Sequence, residues 1–235
     1  MAATYEKGLV EVADGGHAYL QPDGGWGWSN AGLVTSGGRS LLVDTLFDMV
    51  LTREMLDAMA GFTSSAPIST IVNTHANGDH CYGNGAVDAS EIIASQASAE
   101  EMDDVPASVL ARMVALAPEL GETGAYVERI FGSFRFDEVV PAPPTRTFTG
   151  ELEVAVGDVT VRLVEVGPAH TAGDVLVELP DRGTVFTGDI LFNGGTPVVW
   201  AGPFANWIGA CDRIISHGWD VIVPGHGPLA SAEDV

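Results

Sequence analysis

The order of apolar and polar positions along the first half of the chain predicts short strands followed by helices. Residues 9–20, 31–37 and 40–45 carry alternating or β-branched side chains bounded by Gly and Asp, which favours strands. Residues 49–60 have helical spacing. Residues 68–74 and 91–95 indicate further strands, and 95–121 indicates helices interrupted at Pro106 and Pro118.

The second half repeats this order. The strongest hairpin signal turns at Gly157-Asp158 within residues 152–166, and a second hairpin is predicted over 174–189. A helix over 203–218 and a strand over 220–227 follow. We therefore expect one domain over 1–235 with pseudo-symmetric halves, about 1–140 and 145–235, which meet near the Pro-rich residues 141–150. Each half supplies a sheet, and the sheets pack face to face with helices outside.

Charge and composition exclude several function classes. The chain has 10 Lys+Arg against 32 Asp+Glu, and its formal charge of -22 would repel phosphate backbones and anionic membranes. We expect neither nucleic acid nor membrane as a partner. No apolar run approaches the length of a membrane span, and the first residues do not resemble a signal peptide, which favours a cytoplasmic protein. Cys81 and Cys211 are too few for a disulfide framework.

Histidines in strand-end loops suggest a metal site. The segment 74–80 follows a predicted strand and places His75, Asn77, Asp79 and His80 around Gly78, where a tight turn lets side chains converge. Imidazole and carboxylate together suit zinc or another first-row divalent ion. Alone, this segment could also be an ordinary polar turn. Three further donors at predicted strand ends, His170, Asp189 and His226, favour the metal site.

With these motifs, residues 9 to 229 resemble the metallo-β-lactamase fold superfamily, whose pattern is H-x-H-x-D-H, a later His, a bridging Asp or Cys, and a His in a GH turn. The resemblance implies an α/β fold, an αββα sandwich of two mixed sheets, with one or two zinc ions at its edge. Carried over by position, it implies a metal 1 site of His75 and His170 and a metal 2 site of Asp79, His80 and His226. Asp189 would bridge them.

Asn77 departs from the family pattern, because a second His is expected there. An amide oxygen is a poorer zinc ligand than imidazole, so site 1 should bind its metal more weakly. Three alternatives follow. The protein holds two metals with Asn77 as a weak or water-mediated ligand; it holds one metal at site 2; or the centre is degenerate and inactive.

A bound metal would supply a nucleophile at neutral pH, because zinc lowers the pKa of a bound water to about 7. We expect Asp79 to orient that hydroxide and to take its proton. The chemistry predicted is hydrolysis of an activated acyl group. Asp rather than Cys at position 189 is similar to thioesterase, lactonase and glyoxalase-II-like relatives.

A finer resemblance rests on residues 24–32 (GGWGWSNAG), 167–171 (GPAHT) and 193–197 (NGGTP). These motifs look like the cyclase/thioesterase proteins of bacterial aromatic polyketide pathways. The resemblance implies substrate contacts from Trp26, Trp28, Asn193 and Thr196. The tryptophans could equally close the edge of a sheet.

The sequence leaves three functions open. The leading hypothesis is a metal-dependent thioesterase or cyclase acting on a small-molecule acyl substrate, free or on a carrier protein. The alternatives are a lactonase or other small-molecule ester hydrolase, and a non-catalytic ligand-binding protein on the same fold. A homo-oligomer stays open as well.

Overall fold

A computed structural model describes residues 5–22 and 25–235 as two mixed β-sheets with helices on their outer faces. This confirms the predicted sandwich. The first sheet has seven strands in chain order: β1 (Gly8–Ala13), β2 (Gly16–Leu20), β3 (Ala31–Ser36), β4 (Arg39–Val43), β5 (Ile68–Val72), β6 (Glu91–Ser95) and β7 (Arg146–Phe148). Strands β1 to β4 are antiparallel, and β4 to β7 are parallel.

The second sheet has the order β12-β11-β10-β9-β8. Its strands are β8 (Glu151–Val156), β9 (Val159–Glu165), β10 (Val175–Leu179), β11 (Thr184–Phe186) and β12 (Val221–Val223). Strands β8 to β11 are antiparallel, while β12 joins β11 in parallel. The hairpin predicted at Gly157-Asp158 connects β8 to β9 in this sheet.

Alternation along the strands builds the layers, because successive side chains point to opposite faces. In β4, Leu41 and Val43 face the core between the sheets, whereas Leu42 faces the helices outside. In β12, Val223 faces the inner core and Ile222 the outer one. The strand patterns therefore fix both the inner core and the seats of the helices.

The described residues form six α-helices: α1 (Met49–Thr63), α2 (Gly78–Cys81), α3 (Gln96–Glu101), α4 (Ala107–Leu116), α5 (Gly121–Phe131) and α6 (Phe204–His217). Met55 and Met59 of α1 pack in the core against the first sheet, and Met49 is buried as well, as their helical spacing indicates. The predicted breaks hold, because Pro106 caps the start of α4 and Pro118 lies in a 3₁₀ turn after it. In the described part of the chain, no helix is both long and apolar enough to cross a bilayer.

Among the α-helices and strands, α2, α5 and β7 escape the sequence analysis, and α2 falls in the segment predicted as a tight turn. Helix α5 was not foreseen, and β7 lies inside the Pro-rich segment taken as the border between the halves. Thr145 exchanges hydrogen bonds with Ile92, and β7 then pairs in parallel with β6. The chain therefore passes to the second sheet only after Phe148. The division into halves stays a prediction.

Candidate metal centre

The predicted donors lie in four turns that follow strands and meet at one edge of the sandwich. His75 and the short helix α2 follow β5, and His170 lies in the loop between β9 and β10. Asp189 follows β11 and His226 follows β12. Because β11 and β12 are parallel, the turns that follow them, which carry Asp189 and His226, are neighbours. The turns that carry His75 and His170 come from opposite sheets. The edge therefore collects side chains that are up to 151 positions apart in the sequence.

Asp189 lies at the middle of this cluster, and its two carboxylate oxygens face different histidines. Oδ1 lies 3.1 Å from Nε2 of His80 and 3.5 Å from Nε2 of His226. Oδ2 lies 3.3 Å from Nε2 of His170 and 3.8 Å from Nε2 of His75. This is the placement that a bridging carboxylate requires.

Asp79 closes the side of the cluster that reaches solvent. Its Oδ2 lies 3.2 Å from Nε2 of His226 and 3.8 Å from Nε2 of His80. Two sets of donor atoms are close enough to share an ion: His75, His80 and Asp189, and Asp79, His80 and His226. The second set matches the predicted metal 2 site. The first set differs from the predicted metal 1 site, because it contains His80 and not His170, although Nε2 of His170 lies 3.3 Å from Oδ2 of Asp189. His80 therefore belongs to both sets.

The spacing of the donors fits a divalent metal. Ligands about 2.0–2.2 Å from a tetrahedral zinc lie about 3.3–3.5 Å from each other, and the separations around Asp189 and Asp79 are 3.1–3.8 Å. Among the described residues, buried Nε2 of His75, buried Nε2 of His80 and Oδ1 of Asp189 have no hydrogen-bond partner. Buried polar atoms without partners are costly. They converge on a common space, which a cation would fill.

The outer nitrogens of the four imidazoles are each held by an acceptor. Nδ1 of His75 lies 3.0 Å from Thr74 Oγ1, and Nδ1 of His80 lies 2.9 Å from Asp44 Oδ2. Nδ1 of His170 lies 2.8 Å from the carbonyl oxygen of Val198. Nδ1 of His226 lies 3.2 Å from the carbonyl oxygen of Trp28. An N–H on each Nδ1 leaves the Nε2 lone pair directed inward, which is the arrangement of metal-ligating histidines.

Asp44 holds two of these ligands together. Its carboxylate accepts from Nδ1 of His80 and also from the backbone N–H and hydroxyl of Thr74, which in turn contacts His75. Asp44 is 2% exposed and has a positive φ of 60°, an unusual conformation for a residue other than glycine. The sequence analysis places Asp44 at the end of a predicted strand but does not single it out. The polar residue that ends a buried strand was the available signal.

Close packing of the backbone fixes the position of the turn that carries His226. A Cβ on Gly225 would lie 2.0 Å from Oδ1 of Asp189, so only glycine allows the His226 turn to approach that carboxylate. The loop carrying His170 is shaped differently. Asp174 accepts hydrogen bonds from the backbone N–H groups of Ala169 and Thr171 on either side of the histidine.

Comparison with known proteins agrees with this fold and cluster. The profile of the metallo-beta-lactamase superfamily matches residues 24–226. The chain belongs to this superfamily. Its sequence is also similar to the 2,4-dinitroanisole O-demethylase subunit alpha of Nocardioides sp. (strain JS1661), with 29% identity over 191 residues, 79% of this chain and 48% of that protein. The chain thus spans about half the length of that relative.

Solved structures share the fold at low sequence identity. A metallo-beta-lactamase from Pontibacter korlensis superposes with a TM-score of 0.68 and 19% identity, covering 97% of this chain and 95% of that one. The sec-alkylsulfatase Pisa1 from Pseudomonas sp. gives a TM-score of 0.71 and 16% identity, covering 97% of this chain but 39% of the enzyme. The superfamily resemblance is confirmed, while the polyketide-cyclase type stays a prediction.

Burial and neighbouring charges shift the pKa values of the histidines in this centre. Burial opposes the charged form of His80, but Asp189, Asp79 and Asp44 outweigh it and raise the pKa of His80 well above its ordinary value. Against the same burial penalty, Asp189 and Asp79 raise the pKa of His226 to about 10. Burial, together with neighbouring His80, lowers the pKa of His75 well below its ordinary value.

Burial and the neighbouring histidines also shift the pKa values of the two carboxylates. Burial favours the neutral form of Asp189, but the four histidines, His226 first, lower its pKa well below the ordinary value. Burial also opposes ionisation of Asp79, and His80 and His226 overcome it to lower the pKa of Asp79. The negative charges of Asp189 and Asp79 therefore favour the protonated forms of His80 and His226. A divalent cation that displaces two protons would keep the same net charge.

Asn77 lies on the His170 side of the cluster. Its Nδ2 is 3.0 Å from Nε2 of His170. The two ends of an amide are interchangeable by rotation, so the same position can present Oδ1 toward an ion. Asn77 also precedes α2 directly, and its side chain makes no capping hydrogen bond there. The amide is thus available to the centre.

The predicted substrate residues differ in exposure and in their contacts. Trp26 is 48% exposed and packs edge-on against Phe131. Trp28 packs against Phe134, while its carbonyl accepts from His226. Asn193 turns its amide to the carbonyl oxygens of Pro228 and Leu229. Thr196 is exposed, and Gly24 of the tryptophan motif lies outside the described residues. Their substrate roles stay predictions.

Phe192 was not foreseen by the sequence analysis. Its ring stacks on His226 with an interplanar angle of 2° and a centroid distance of 5.1 Å, and it lies 5.6 Å from the ring of His170. The signal was its position three residues after Asp189. Phe192 gives the cleft an apolar wall beside both imidazoles.

Proposed function

We propose that this chain is a metal-dependent hydrolase that cleaves an activated acyl group at the cluster around Asp189. The observation that carries the proposal is the set of inward-facing, unpartnered donors of His75, His80 and Asp189 at spacings that suit a metal ion. Several buried donor and acceptor atoms that converge on one place without a hydrogen-bond partner are unusual in a folded protein. The superfamily membership supports the same chemistry.

A divalent ion at this position would lower the pKa of a water molecule and polarise the substrate carbonyl. The side chains of the protein would do the rest. Through its two carboxylate oxygens, Asp189 would connect the side of the centre with His80 and His226 to the side with His75 and His170. Asp79 would accept the proton of the attacking water, because its side chain is 12% exposed, compared with 3% for Asp189, and therefore borders the cleft.

The proposed substrate is a small acyl compound with a flat apolar part, joined as a thioester to a carrier or to a small thiol. Its support is the aromatic lining of the cleft. The ring of Phe192 stacks on His226 and lies beside His170, and the exposed Trp26 is two residues before Trp28, whose carbonyl accepts from His226. Aromatic side chains bind flat apolar groups through large contact areas.

The similarity to the alpha subunit of an O-demethylase favours a second candidate function. In that case the chain would act on an aryl methyl ether as one subunit of a larger enzyme. An electron-poor aromatic carbon with an oxygen leaving group is also an activated electrophile. The lactonase alternative has no separate support, and it enters the test as one class of substrate.

The test is a substrate panel combined with metal analysis. Protein purified without added metal should contain a first-row divalent metal and should hydrolyse aromatic acyl thioesters faster than lactones. Exhaustive chelation should abolish turnover, and zinc should restore it. Turnover that survives complete metal removal would contradict the proposal. Preferential cleavage of a nitroaryl methyl ether would favour the second candidate, and aromatic ligand binding without metal would favour a binding protein.

A further inference from the structure

Residues 28–30 lie between the loop that carries Asp79 and the turn that carries His226, and they bond to both. On one side, the hydroxyl of Ser29 donates to the backbone carbonyl of Asp79. On the other side, the carbonyl of Trp28 accepts from Nδ1 of His226. These contacts join residues 50 and 198 positions apart in the sequence. The segment immediately precedes β3, which anchors it in the first sheet.

Asn30 makes most of the contacts to the His226 turn. Its backbone N–H donates to the carbonyl of Gly225 at 2.7 Å. Its Nδ2 donates to the carbonyls of Pro224 at 3.0 Å and Gly227 at 2.9 Å. The side chain thus bonds to the turn on both sides of His226. Asn30 is only 3% exposed, and its Oδ1 accepts from the backbone N–H of Gln21.

The second sheet holds the same turn from the opposite side. Gly225 N–H donates to the carbonyl of Gly188, and the carbonyl of His226 accepts from Asn193. These bonds fix the turn relative to Asp189, which also belongs to the second sheet. The bonds from Asn30 fix it relative to the first sheet, which supplies Asp79 and His80. The distance between Nε2 of His226 and Oδ2 of Asp79, 3.2 Å, crosses this junction.

We infer that Asn30 is a positioning residue for the metal centre, which sets the distance between the His226 turn and the ligand loop of the first sheet. The inference rests on the proposed metal-dependent function, because it requires an ion between these groups. Gly225 packs directly against Asp189, so the His226 turn keeps its place on the second sheet, and the bonds from Asn30 hold it near the ligand loop of the first sheet. Loss of the two side-chain bonds would let His226 move away from Asp79.

The test uses Co²⁺ as the probe, because its visible absorption reports the ligand set without any substrate. Asn30→Ala should weaken Co²⁺ binding by about 10- to 100-fold, as for other partners that orient metal ligands, and should change the absorption spectrum. Asn30→Asp keeps the volume and the acceptor for Gln21 but removes both donors. An added carboxylate attracts a cation, so weaker binding in Asn30→Asp would report geometry rather than charge.

Glu178→Gln is the control for a loss of stability alone. Glu178 is buried on β10 between Arg162 and Arg213 and does not contact the centre. This variant should unfold at lower urea concentration and keep the wild-type Co²⁺ affinity and spectrum. Wild-type affinity and spectrum in Asn30→Asp, or in folded Asn30→Ala, would overturn the inference. Failure of the wild-type chain to bind Co²⁺ would overturn the proposed function as well.

Discussion

The amide Nδ2 of Asn77 lies 3.0 Å from Nε2 of His170, so the residue that departs from the family pattern still belongs to the centre. The centre is therefore asymmetric. The position between Asp79, His80 and His226 has three ionisable donors besides Asp189. The position near His170 has an amide in place of an imidazole.

This asymmetry predicts two unequal binding steps for zinc. The first equivalent should bind at least about tenfold more tightly than the second, a difference of about 1.4 kcal/mol. Asn77→His should tighten the second step, because imidazole is the better zinc ligand. Titration with a competing chelator measures both steps. Two equal steps in the wild-type chain, or no change in Asn77→His, would show that Asn77 does not weaken the site.

Metal binding should also release protons. The pKa of His226 is raised to about 10 and that of His80 is raised as well, so both are protonated at pH 7 in the metal-free chain. A cation must displace these protons, so we expect about two to be released at pH 7 and the affinity to fall as the pH falls. Calorimetry in buffers with different ionisation enthalpies counts them. Release of no proton would contradict the predicted charge state.

The same shift predicts how pH affects the stability of the metal-free chain. Because the pKa of His226 rises from 6.5 to about 10 on folding, its contribution is fully present below about pH 6.5 and is lost as the pH rises through 10. The thermal midpoint of chelated protein should therefore fall between pH 7 and pH 10. His226→Gln, which lacks this titration, should show a smaller fall. Equal pH dependence of both proteins would refute the assignment.

More of the fold than of the site could be predicted from the sequence, because strands and helices have local patterns of apolar residues. Leu41, Leu42 and Val43 alternate between layers as their sequence indicates. Helix α5 contains two glycines, which are poor helix formers, and this weakens the helix signal of its sequence. Strand β7 has only three residues, so its pairing with β6 gives no detectable alternation.

The donors of the centre could be predicted because they lie in turns that follow strands, but the residues that orient them could not. Asp44 acts on Thr74 and His80, 30 and 36 positions later, and Asn30 acts on a turn near the end of the chain. These contacts depend on how the two sheets pack. No spacing in the sequence encodes them, since an Asp or Asn at a strand end is common in turns.

The role of Asp79 predicts a loss of turnover that is separate from any loss of metal. Asp79→Asn keeps the shape and an oxygen ligand but cannot accept a proton. Turnover of the preferred acyl substrate should fall by about 10²- to 10⁴-fold, the usual contribution of a general base. Metal content should be determined on the same sample, at saturating zinc. Near-normal kcat in a metal-loaded Asp79→Asn variant would assign the proton to another group.

The last prediction concerns stability away from the centre. Glu178 is fully buried on β10, and its carboxylate binds Nε of Arg162 at 2.7 Å and Nε of Arg213 at 3.2 Å. It thereby joins β9, β10 and α6. Glu178→Ala should reduce the free energy of unfolding by about 3 kcal/mol, the low end for a broken buried ion pair. The low end is expected because the two arginine side chains are 28% and 34% exposed and can regain water. Urea unfolding of chelated protein measures the change. A loss below about 1 kcal/mol, which is typical of surface pairs, would mean that the ion pairs of Glu178 contribute little to stability.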